Sequence, residues 1–517
     1  MQKLPIGIQD FTKIRGDGYI YVDKTRYLYD LIQNGSVYFL SRPRRFGKSL
    51  LISTLEAILK GKKELFNGLW IEQSDYDWTE YPVLRIDMSQ VTRTSPELFE
   101  QTMKGLLLDK AKEYSVWISR EDEPVSGILN QLIDALSRID KVVVLIDEYD
   151  KPILDNLDNN DLAVNMRNKL RDFYTILKAQ DGNIKFILLT GVTKFSKVSV
   201  FSGLNNLTDL TLDNDYASIL GYTQSELETV FRSWIDKLAK KNKRTVVEEL
   251  SKIKLWYNGY QFSSEGEPVY NPFSTLLLFQ QQEYRAHWFA TGTPTFLLKL
   301  IEKENFDITK IEEIRVRESA FATADVNNLD VFSLLYQTGY LTIKHFDSDR
   351  QSYQLNYPNR EVELGFTESL LEYTTKISRA QQDTTMLQLV DWLVAKDYQA
   401  FFDELKRFFS TIPYDLHIKS EKYYQGVLYF IFRLMGIEID VEVHTSLGSI
   451  DAVITSKNCV LIFEFKLDQS VDIALAQIHN KKYAEPYKKL GKEIQLFGIE
   501  FSTKERNILD WKSDILE

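Results

Sequence analysis

Two stretches of the sequence contain residues of the kind that handle phosphate groups. The first, Val37–Leu51, reads as an apolar strand, a loop rich in Arg and Pro, and then Gly47-Lys48-Ser49 at the start of a helix. Backbone N–H groups at a helix start bind an anion while a lysine reaches its outer oxygens. The second, Lys141–Asp150, reads as a buried strand that ends in Asp147 and Glu148. Together they predict a nucleotide site, with one acid holding Mg²⁺ and the other polarising water.

A third stretch, near the C-terminus, gathers two carboxylates and an ammonium group. Asp451 lies on one predicted strand, and Glu464 and Lys466 lie on the next. Side chains alternate along a strand, so Glu464 and Lys466 share a face, and a hairpin brings Asp451 beside Glu464. Two close carboxylates repel each other unless a cation lies between them. With Mg²⁺ and a lysine that activates water, the pattern predicts hydrolysis of phosphodiesters, with Glu421 and Gln477 on the flanking helices in supporting positions.

Each pattern also has a purely structural interpretation. Gly-Lys-Ser alone occurs by chance in chains of this length, and the first glycine of the common phosphate-loop pattern is replaced by Arg42. Glu464-x-Lys466 alone fits the ordinary alternation of an exposed hairpin with a turn at Ser456–Asn458. The basic run Lys237–Arg244 is more typical of a solvated helix face than of a nucleic-acid contact.

Composition narrows the class of protein. The chain has 517 residues, a net charge of −11 and 44% hydrophobic residues, which is typical of a globular protein of two or three domains. The acidic balance argues against a surface coated in basic groups for nucleic acid. A single cysteine, Cys459, excludes an intramolecular disulfide and a thiolate zinc site. Apolar runs are too short to span a bilayer, and the N-terminus lacks a signal-peptide core, so a cytoplasmic location without membrane contact is expected.

The order of predicted elements indicates an α/β protein in four parts. Buried strands alternate with helices up to Leu212, which predicts a parallel sheet flanked by helices. A mainly helical region follows, in which Val331–Leu355 suits either a small winged-helix unit or a lid packed on the first domain. The C-terminal part reads helix, three strands, helix, strand. The predicted boundaries are 1–212, 213–365, 366–412 and 413–517.

Several stretches resemble the AAA-ATPase-like family of prokaryotic proteins, which are commonly joined to a C-terminal nuclease domain of the PD-(D/E)xK superfamily. The resemblance is carried by Leu4–Gly7, Tyr21–Thr25, Arg42–Ser49, Asp147–Asp150, Thr190–Lys194, Phe201–Asn206 and Tyr336–Leu341. In that family RPRRFGKS is the usual form of the loop, so Arg42 is expected there. In the C-terminal domain Ile450 stands where the superfamily name has Pro, although many members lack that Pro.

The resemblance implies roles for the residues of the N-terminal domain. Lys48 would contact the β- and γ-phosphates of ATP, Ser49 and Asp147 would hold Mg²⁺, and Glu148 would orient water. Thr190 stands where AAA-like ATPases carry a polar sensor of the γ-phosphate, although it also fits as a plain strand-ending threonine. The rest of the phosphate-binding loop would be Pro43, Arg44, Arg45, Phe46 and Gly47.

In the C-terminal domain the resemblance assigns Asp451, Glu464 and Lys466 to the superfamily core. Asp451 and Glu464 would be the metal ligands, with Glu421 and Gln477 as supporting positions.

The expected function is an ATP-binding and hydrolysing protein coupled to a Mg²⁺-dependent nuclease that acts on nucleic acid, in the first place DNA. One alternative is a nucleotide-switched sensor whose nuclease domain is silent until a partner binds. Another is a C-terminal domain that only binds nucleic acid. Because AAA-like ATPases often take an arginine finger from a neighbouring subunit, a homo-oligomer is a further partner that the resemblance suggests.

Overall fold

The computed structural model describes two compact units. It describes residues 2–516 except 196–199, 202–203, 205, 290–294, 305, 308–309, 312–313, 323, 325–328, 414–420, 438, 446 and 457–458. One unit comprises Met1–Phe306 with Ile311–Val362, and the other comprises Asp307–Lys310 with Glu363–Glu517.

The first unit is built on a five-stranded parallel sheet. Its strands are β1 Val37–Ser41, β2 Val83–Asp87, β3 Val142–Asp147, β4 Ile184–Gly191 and β5 Thr208–Asp209, in the order β2-β3-β4-β1-β5. Every residue of β1 and β3 is buried, as expected for a parallel sheet covered by helices on both faces. The order places β4 between β1 and β3, so the ends of the three strands that carry the predicted nucleotide residues are neighbours.

Helices on both faces bury their apolar stripes against this sheet. They are α1 Phe11–Gly16, α2 Thr25–Asn34, α3 Lys48–Leu59, α4 Pro96–Glu113, α5 Val125–Leu136, α6 Lys151–Leu154 and α7 Asn160–Ala179. Residues at helical spacing on α5, such as Leu129, Leu132 and Ile133, share one core with Ile146 of β3. Helix α4 begins with Pro96 after Ser95, whose side chain accepts the N–H of Leu98, a common helix start.

The rest of the first unit is mainly helical and ends in a small sheet. It contains α8 Gln224–Val230, α9 Arg232–Lys241, α10 Val246–Tyr257, α11 Pro272–Gln281, α12 Thr295–Lys303 and α13 Val331–Thr338, with strands β6 Arg315–Val316, β7 Thr342–Asp347 and β8 Ser352–Asn356. The strands form an antiparallel sheet in the order β6-β8-β7, in which β6 precedes α13 in the chain and the hairpin of β7 and β8 follows it. Ile20 and Val22 join the core of α8–α11, so the N-terminal segment packs on this region.

The second unit contains a mixed five-stranded sheet. Its elements are α14 Arg360–Thr375, whose first three residues still belong to the first unit, α15 Arg379–Val394, α16 Tyr398–Ser410, α17 Glu421–Leu434, β9 Ile439–Thr445, β10 Gly448–Thr455, β11 Cys459–Leu467, α18 Val471–Asn480, α19 Glu485–Lys488, β12 Glu493–Ser502 and β13 Asn507–Leu516. The order is β13-β12-β11-β10-β9, and β11 and β12 are parallel because α18 connects them.

The predicted fold class is confirmed, with one addition. The C-terminal order helix, three strands, helix, strand is present, but a fifth strand, β13, follows and pairs antiparallel with β12. Its sequence, NILDWKSDIL, mixes charged and apolar residues because most of its side chains are exposed, and so it gives little strand signal. The division into four parts remains a prediction. The start of the last part, the turn at 457–458 and the stretch 202–205 fall wholly or partly outside the described residues.

Candidate functional sites

The loop between β1 and α3 wraps around a buried lysine. Gly47 has φ 97° immediately before α3, a left-handed conformation that glycine adopts without strain. Lys48 is 6% exposed, and its Nζ donates to the carbonyl oxygens of Arg42 at 2.8 Å and Pro43 at 3.0 Å. Burial lowers the pKa of Lys48, while the carboxylates of Asp147, Asp150 and Glu148 oppose that shift. The ammonium is therefore held at the loop and faces the acids at the end of β3.

Arg42 is a structural residue of this loop. It is 1% exposed, and its guanidinium donates to the carbonyl oxygens of Ser41 at 2.8 Å, Thr211 at 2.9 Å and Tyr216 at 3.2 Å. The same group lies 4.2 Å from the ring centroid of Phe262. Arg42 thus ties the loop to the segment after β5, in the position where the common phosphate-loop pattern has glycine.

The remaining loop residues contact the helical region of the same unit. Phe46 is buried and packs edge-on against Tyr260. The guanidinium of Arg45 lies 4.3 Å from the ring centroid of Phe273, and the carbonyl oxygen of Arg44 accepts the indole N–H of Trp288 at 3.2 Å. The ring of Pro43 lies so close to Gly339 that a Cβ there would be 2.7 Å from Cβ of Pro43.

The acids of β3 and the threonine of β4 meet beside the loop. Thr190 donates its hydroxyl hydrogen to Oδ1 of Asp147 at 2.7 Å, and both side chains are buried. Glu148 has φ 52° and pairs with Lys151 at 3.7 Å, and both residues line the cleft beside the loop. Ser49, half-buried, follows Lys48 in the first turn of α3. The structure thus brings together Lys48, Ser49, Asp147, Glu148 and Thr190.

A cleft of about 400 Å³ opens over the loop. Sequence reasoning predicts only part of its lining, namely Arg44, Arg45, Gly47, Lys48, Ser49 and Glu148. The other walls come from the N-terminal segment and the helical region: Pro5, Gly7, Ile8, Gln9, Tyr222, Pro272, Phe273 and Leu276. Gly7 lies in the conspicuous Leu4–Gly7 motif, but no local pattern indicates that it reaches this cleft.

A smaller apolar pocket of about 80 Å³ adjoins this cleft. The two share Pro5, Gly47, Leu50, Tyr222 and Pro272 as lining residues. Lys24 is the charged side chain of the pocket lining, and its ammonium is already paired with Glu226 at 2.7 Å.

The second candidate site lies on the hairpin of β10 and β11. The register pairs Ala452 with Phe463, which places Asp451 at the next step, beside Glu464. The N–H of Phe465 donates to Oδ2 of Asp451 at 2.6 Å. Lys466 donates to Oε1 of Glu464 at 2.8 Å. Asp451, Glu464 and Lys466 therefore form one cluster, as the alternation along the strand predicts.

Glu464 is the most constrained carboxylate of this cluster. It is 1% exposed, and its Oε1 also accepts the side-chain N–H of Gln477. Its Oε2 is buried and makes no hydrogen bond within the described part of the chain. Burial and the negative charge of Asp451 raise the pKa of Glu464 to about 7. An unpaired buried carboxylate oxygen beside a second carboxylate is an unfavourable arrangement that a bound cation would relieve.

The supporting positions surround the cluster. Gln477, on α18, also donates to the hydroxyl of Tyr483 at 3.3 Å. A Cβ on Gly448 would lie 2.6 Å from that hydroxyl, so glycine is required for this close approach. Glu421, at the start of α17, adds to the negative potential that raises the pKa of Glu464. Tyr483 and Gly448 are site residues that the sequence pattern does not assign, because their proximity arises only from packing.

The donor set of this cluster fits Mg²⁺ only with help from water or substrate. Within the described residues, no group of three or more His, Cys, Asp or Glu side chains is arranged to hold a metal. Asp451 and Glu464 supply two carboxylates, and Mg²⁺ is commonly bound by one or two carboxylates while it keeps several waters. The free Oε2 of Glu464 is consistent with such a ligand. In the described part of the chain no helix has the length and apolar character needed to cross a membrane.

Comparison with known proteins identifies both domains. The AAA-ATPase-like family model, described as a predicted AAA-ATPase, matches residues 5–201, and the PD-(D/E)XK nuclease superfamily model matches residues 419–511. The chain is 39% identical over 521 residues to an uncharacterized protein in the vnfD 5′ region of Azotobacter chroococcum mcd 1, covering 98% of each. A Walker-type ATPase of Pyrococcus abyssi matches at 12% identity and a TM-score of 0.32, over 66% of this chain and 94% of that one. The chain therefore belongs to the AAA-ATPase-like family and carries a C-terminal domain of the PD-(D/E)XK nuclease superfamily.

Proposed function

We propose that this protein binds and hydrolyses ATP and that its C-terminal domain is a Mg²⁺-dependent nuclease acting on nucleic acid, with DNA as the principal substrate. The observation that carries the nuclease activity is the buried Oε2 of Glu464, which has no partner in the described chain although it lies beside Asp451 and Lys466. A chain that kept this fold only for packing would gain by replacing such a carboxylate with an apolar or amide side chain.

In the N-terminal domain, ATP with Mg²⁺ would supply the phosphoanhydride bond that is cleaved. The N–H groups at the start of α3 and the ammonium of Lys48 would bind its β- and γ-phosphates. Ser49 and Asp147 would hold the metal, and Glu148 would orient the attacking water. Thr190 fixes the orientation of Asp147 through its hydroxyl, which supports its role as a sensor at this site.

The apolar pocket beside the cleft is suited to the flat face of a purine. Guanine presents N–H donors that a carboxylate ordinarily accepts, and the lining residues of the pocket include no carboxylate in the described chain. Its ammonium, that of Lys24, is already committed to Glu226. These features support adenine as the base.

In the C-terminal domain, Mg²⁺ would supply a positive charge that stabilises the phosphorane-like transition state and lowers the pKa of bound water. Asp451 and Glu464 would hold the metal. Lys466, paired with Glu464 at 2.8 Å, would orient or activate the water. Gln477 holds Oε1 of Glu464 from the other side and keeps the carboxylate in place. Glu421 adds negative potential that favours a cation there.

A second candidate function is a nucleotide-switched sensor whose nuclease is silent until a partner binds. The contacts of the phosphate-binding loop favour it: the carbonyl oxygen of Arg44 accepts the indole N–H of Trp288, and the guanidinium of Arg45 lies over the ring of Phe273. A ligand in the loop would disturb these contacts with the helical region, which gives nucleotide binding a route to conformational change even where turnover is slow.

The test is cleavage of linear and circular DNA, and of RNA in parallel, by the full-length protein with Mg²⁺, with and without ATP. Asp451→Ala is the site variant, and Asp440→Ala, an exposed acid on β9, is the matched control. We expect DNA cleavage that responds to ATP and is lost in Asp451→Ala alone. Cleavage of RNA alone would reassign the substrate. Bound ATP with no cleavage under any condition would instead support the switched sensor.

A further inference from the structure

The segment Thr190–Phe195, here called the sensor segment, is held by the motif that ends β3. Asp147 accepts the hydroxyl hydrogen of Thr190, and the N–H of Tyr149 donates to the carbonyl oxygen of Thr190 at 2.9 Å. Asp150, 1% exposed, accepts the N–H groups of Val192 at 3.0 Å and Thr193 at 2.6 Å on one oxygen, Oδ2. Three of the four residues of the DEYD motif, Asp147, Tyr149 and Asp150, thus bind different parts of the segment.

Tyr149 also forms hydrogen bonds with the end of the segment. Its hydroxyl donates to the carbonyl oxygen of Thr193 at 2.7 Å and accepts the N–H of Phe195 at 3.0 Å. A Cβ on Gly191 would lie 2.6 Å from the Tyr149 ring and 2.7 Å from Oδ1 of Asp150, so only glycine allows the segment to lie this close. The segment and the motif are therefore fitted to each other over their whole length.

The other side of the sensor segment is bound by Gln337 on α13 and by Ala324. The N–H of Lys194 donates to Oε1 of Gln337 on α13 at 2.8 Å, and the carbonyl oxygen of Lys194 accepts the N–H of Ala324 at 2.8 Å. Gln337 is 4% exposed, and its amide group donates to the carbonyl oxygen of Phe321 and the hydroxyl of Ser333, each at 3.1 Å. Oε1 of Gln337 thus binds the sensor segment, while its Nε2 holds the side chain in place against Phe321 and Ser333.

These contacts form a continuous chain of hydrogen bonds from Asp147 to Gln337, in which the side-chain bonds of Asp147, Tyr149 and Asp150 are buried and the bond to Gln337 is partly buried. Buried donors and acceptors are costly to leave unsatisfied, so the segment cannot shift at Thr190 without moving its partners or breaking several bonds. Asp147 and Gln337, the two ends of this connection, are therefore sensitive to the same displacement. Asp147 lies next to Glu148, which lines the cleft, and Gln337 lies on α13, the helix that precedes β7 and β8.

We propose that the sensor segment couples occupancy of the nucleotide site to the conformation of α13 and the β6-β8-β7 sheet, with Gln337 as the positioning residue on the receiving side. The proposal rests on the ATP site proposed above, and it adds that α13 and the β6-β8-β7 sheet respond to whether that site is occupied. If the network served only to hold the fold, nucleotide binding would leave α13, β7 and β8 unchanged.

The experiment is hydrogen exchange of the full-length protein, with and without a non-hydrolysable ATP analogue and Mg²⁺. In the wild type we expect slower exchange at 42–52, around the loop, and at 331–356, with a slowing of roughly fivefold or more at the second region. Gln337→Met keeps the length of the side chain but removes the acceptor for Lys194. It should retain the analogue's affinity and the slowing at 42–52, and lose the slowing at 331–356.

Two further variants make the outcome specific. Thr338→Ala, which removes a hydroxyl that bonds within α13 to Leu334, should behave as the wild type. Gln337→Glu keeps an acceptor toward Lys194 and should restore the slowing at 331–356. If Gln337→Met does not fold, Asp150→Ala breaks the same connection at Val192 and Thr193. It should also lose the slowing of exchange at 331–356.

Two results would overturn the coupling: slowing at 331–356 that persists in Gln337→Met, or its absence in a wild type whose loop is protected. Absence of slowing at both regions of the wild type would instead contradict the nucleotide site itself.

Discussion

The backbone N–H of Phe465 donates to Oδ2 of Asp451 over 2.6 Å, which fixes this carboxylate one strand away from Glu464. The donor is a main-chain N–H, so the bond does not depend on the side chain at 465 but requires an acceptor at 451. It holds a negative charge where it repels a second one, and the pKa of Glu464 rises to about 7 as burial and this repulsion act together. Strand pairing therefore fixes the position of Asp451. The negative charge of Asp451, in contrast, is what repels Glu464 and helps to raise its pKa.

Asp451→Asn separates these two effects. The amide oxygen of asparagine can still accept the N–H of Phe465, while the charge that would hold Mg²⁺ is gone. We expect cleavage to fall by roughly 100-fold or more. The melting temperature in metal-free buffer should stay the same or rise, because a repulsion with Glu464 is removed. A clear drop in melting temperature would show that the carboxylate itself stabilises the fold.

Lys466→Ala should abolish strand cleavage and leave ATP hydrolysis intact. Lys466 pairs with Glu464 in the C-terminal unit, whereas Lys48 and Asp147 lie in the other unit. We expect a loss of cleavage of roughly 100-fold or more, in the range found when a group that moves a proton is removed. Cleavage and ATP turnover are measured on the same preparation, with Lys489→Ala, an exposed lysine, as the control. Equal loss of both activities would contradict two separate sites.

Lys48→Ala should remove nucleotide binding or turnover. Within the described residues its ammonium donates to the carbonyl oxygens of Arg42 and Pro43, so a bound phosphate would be a third and charged acceptor. Loss of one hydrogen bond to a charged group predicts an affinity lower by roughly 10- to 100-fold. Equilibrium binding of a fluorescent ATP analogue measures it, beside Lys63→Ala, an exposed lysine after α3. Unchanged affinity would place the phosphates elsewhere.

Arg42→Gly restores the residue of the common phosphate-loop pattern, yet it should harm this protein. Arg42 is buried, and its guanidinium donates to three carbonyl oxygens that would lose their partner. We expect the free energy of unfolding to fall by about 3 kcal/mol or more in urea titrations, with no gain in nucleotide affinity. Arg44→Ala, whose side chain is exposed, should cost far less. Tighter ATP binding by Arg42→Gly would contradict the structural role of this arginine.

Glu361→Gln should change how stability depends on pH. Oε1 of Glu361 accepts the hydroxyl hydrogen of Ser274 at 2.9 Å and the N–H of Trp288 at 2.7 Å, while Oε2 is buried and makes no bond in the described chain. Burial raises the pKa of Glu361 from 4.5 to about 8. Folding therefore favours the protonated acid. The contribution of this group to the free energy of unfolding is fully present below pH 4.5 and is lost as the pH rises to about 8.

Glutamine is neutral throughout that range. The free energy of unfolding of Glu361→Gln, compared with the wild type, should therefore increase between pH 4.5 and about 8 and change little above it. Urea titrations of both proteins at several pH values measure the difference. A constant difference would mean that Glu361 has an ordinary pKa in the folded state.

Local patterns predict the elements that carry the chemistry. The alternation in Phe463–Lys466 and the turn before it suffice to place Asp451 beside Glu464, because side-chain direction along a strand depends on the chain itself. Likewise, the apolar runs before Arg42 and Glu148 predict two buried strands of the sheet. These features depend on residues within a short span of sequence.

Other features depend on segments that are distant in sequence. Phe273 contacts Arg45 in the cleft, and Trp288 donates to the carbonyl oxygen of Arg44. In each pair the two residues are more than 200 positions apart in the sequence. The burial of Arg42 depends in the same way on Thr211 and Tyr216. No periodicity encodes these pairings, since they follow from the way whole elements pack, and the sequence alone therefore predicts the centre of the nucleotide site better than its walls.

Gly339 has a consequence for the evolutionary history of the chain. It ends α13 with φ 91°, and a Cβ there would be 2.7 Å from Cβ of Pro43 in the phosphate-binding loop. A side chain at 339 is thereby opposed both by the backbone conformation and by the neighbouring proline ring. Positions 43 and 339 should consequently change together among relatives, and a larger residue at 339 should appear only in lineages whose loop has lost the proline ring.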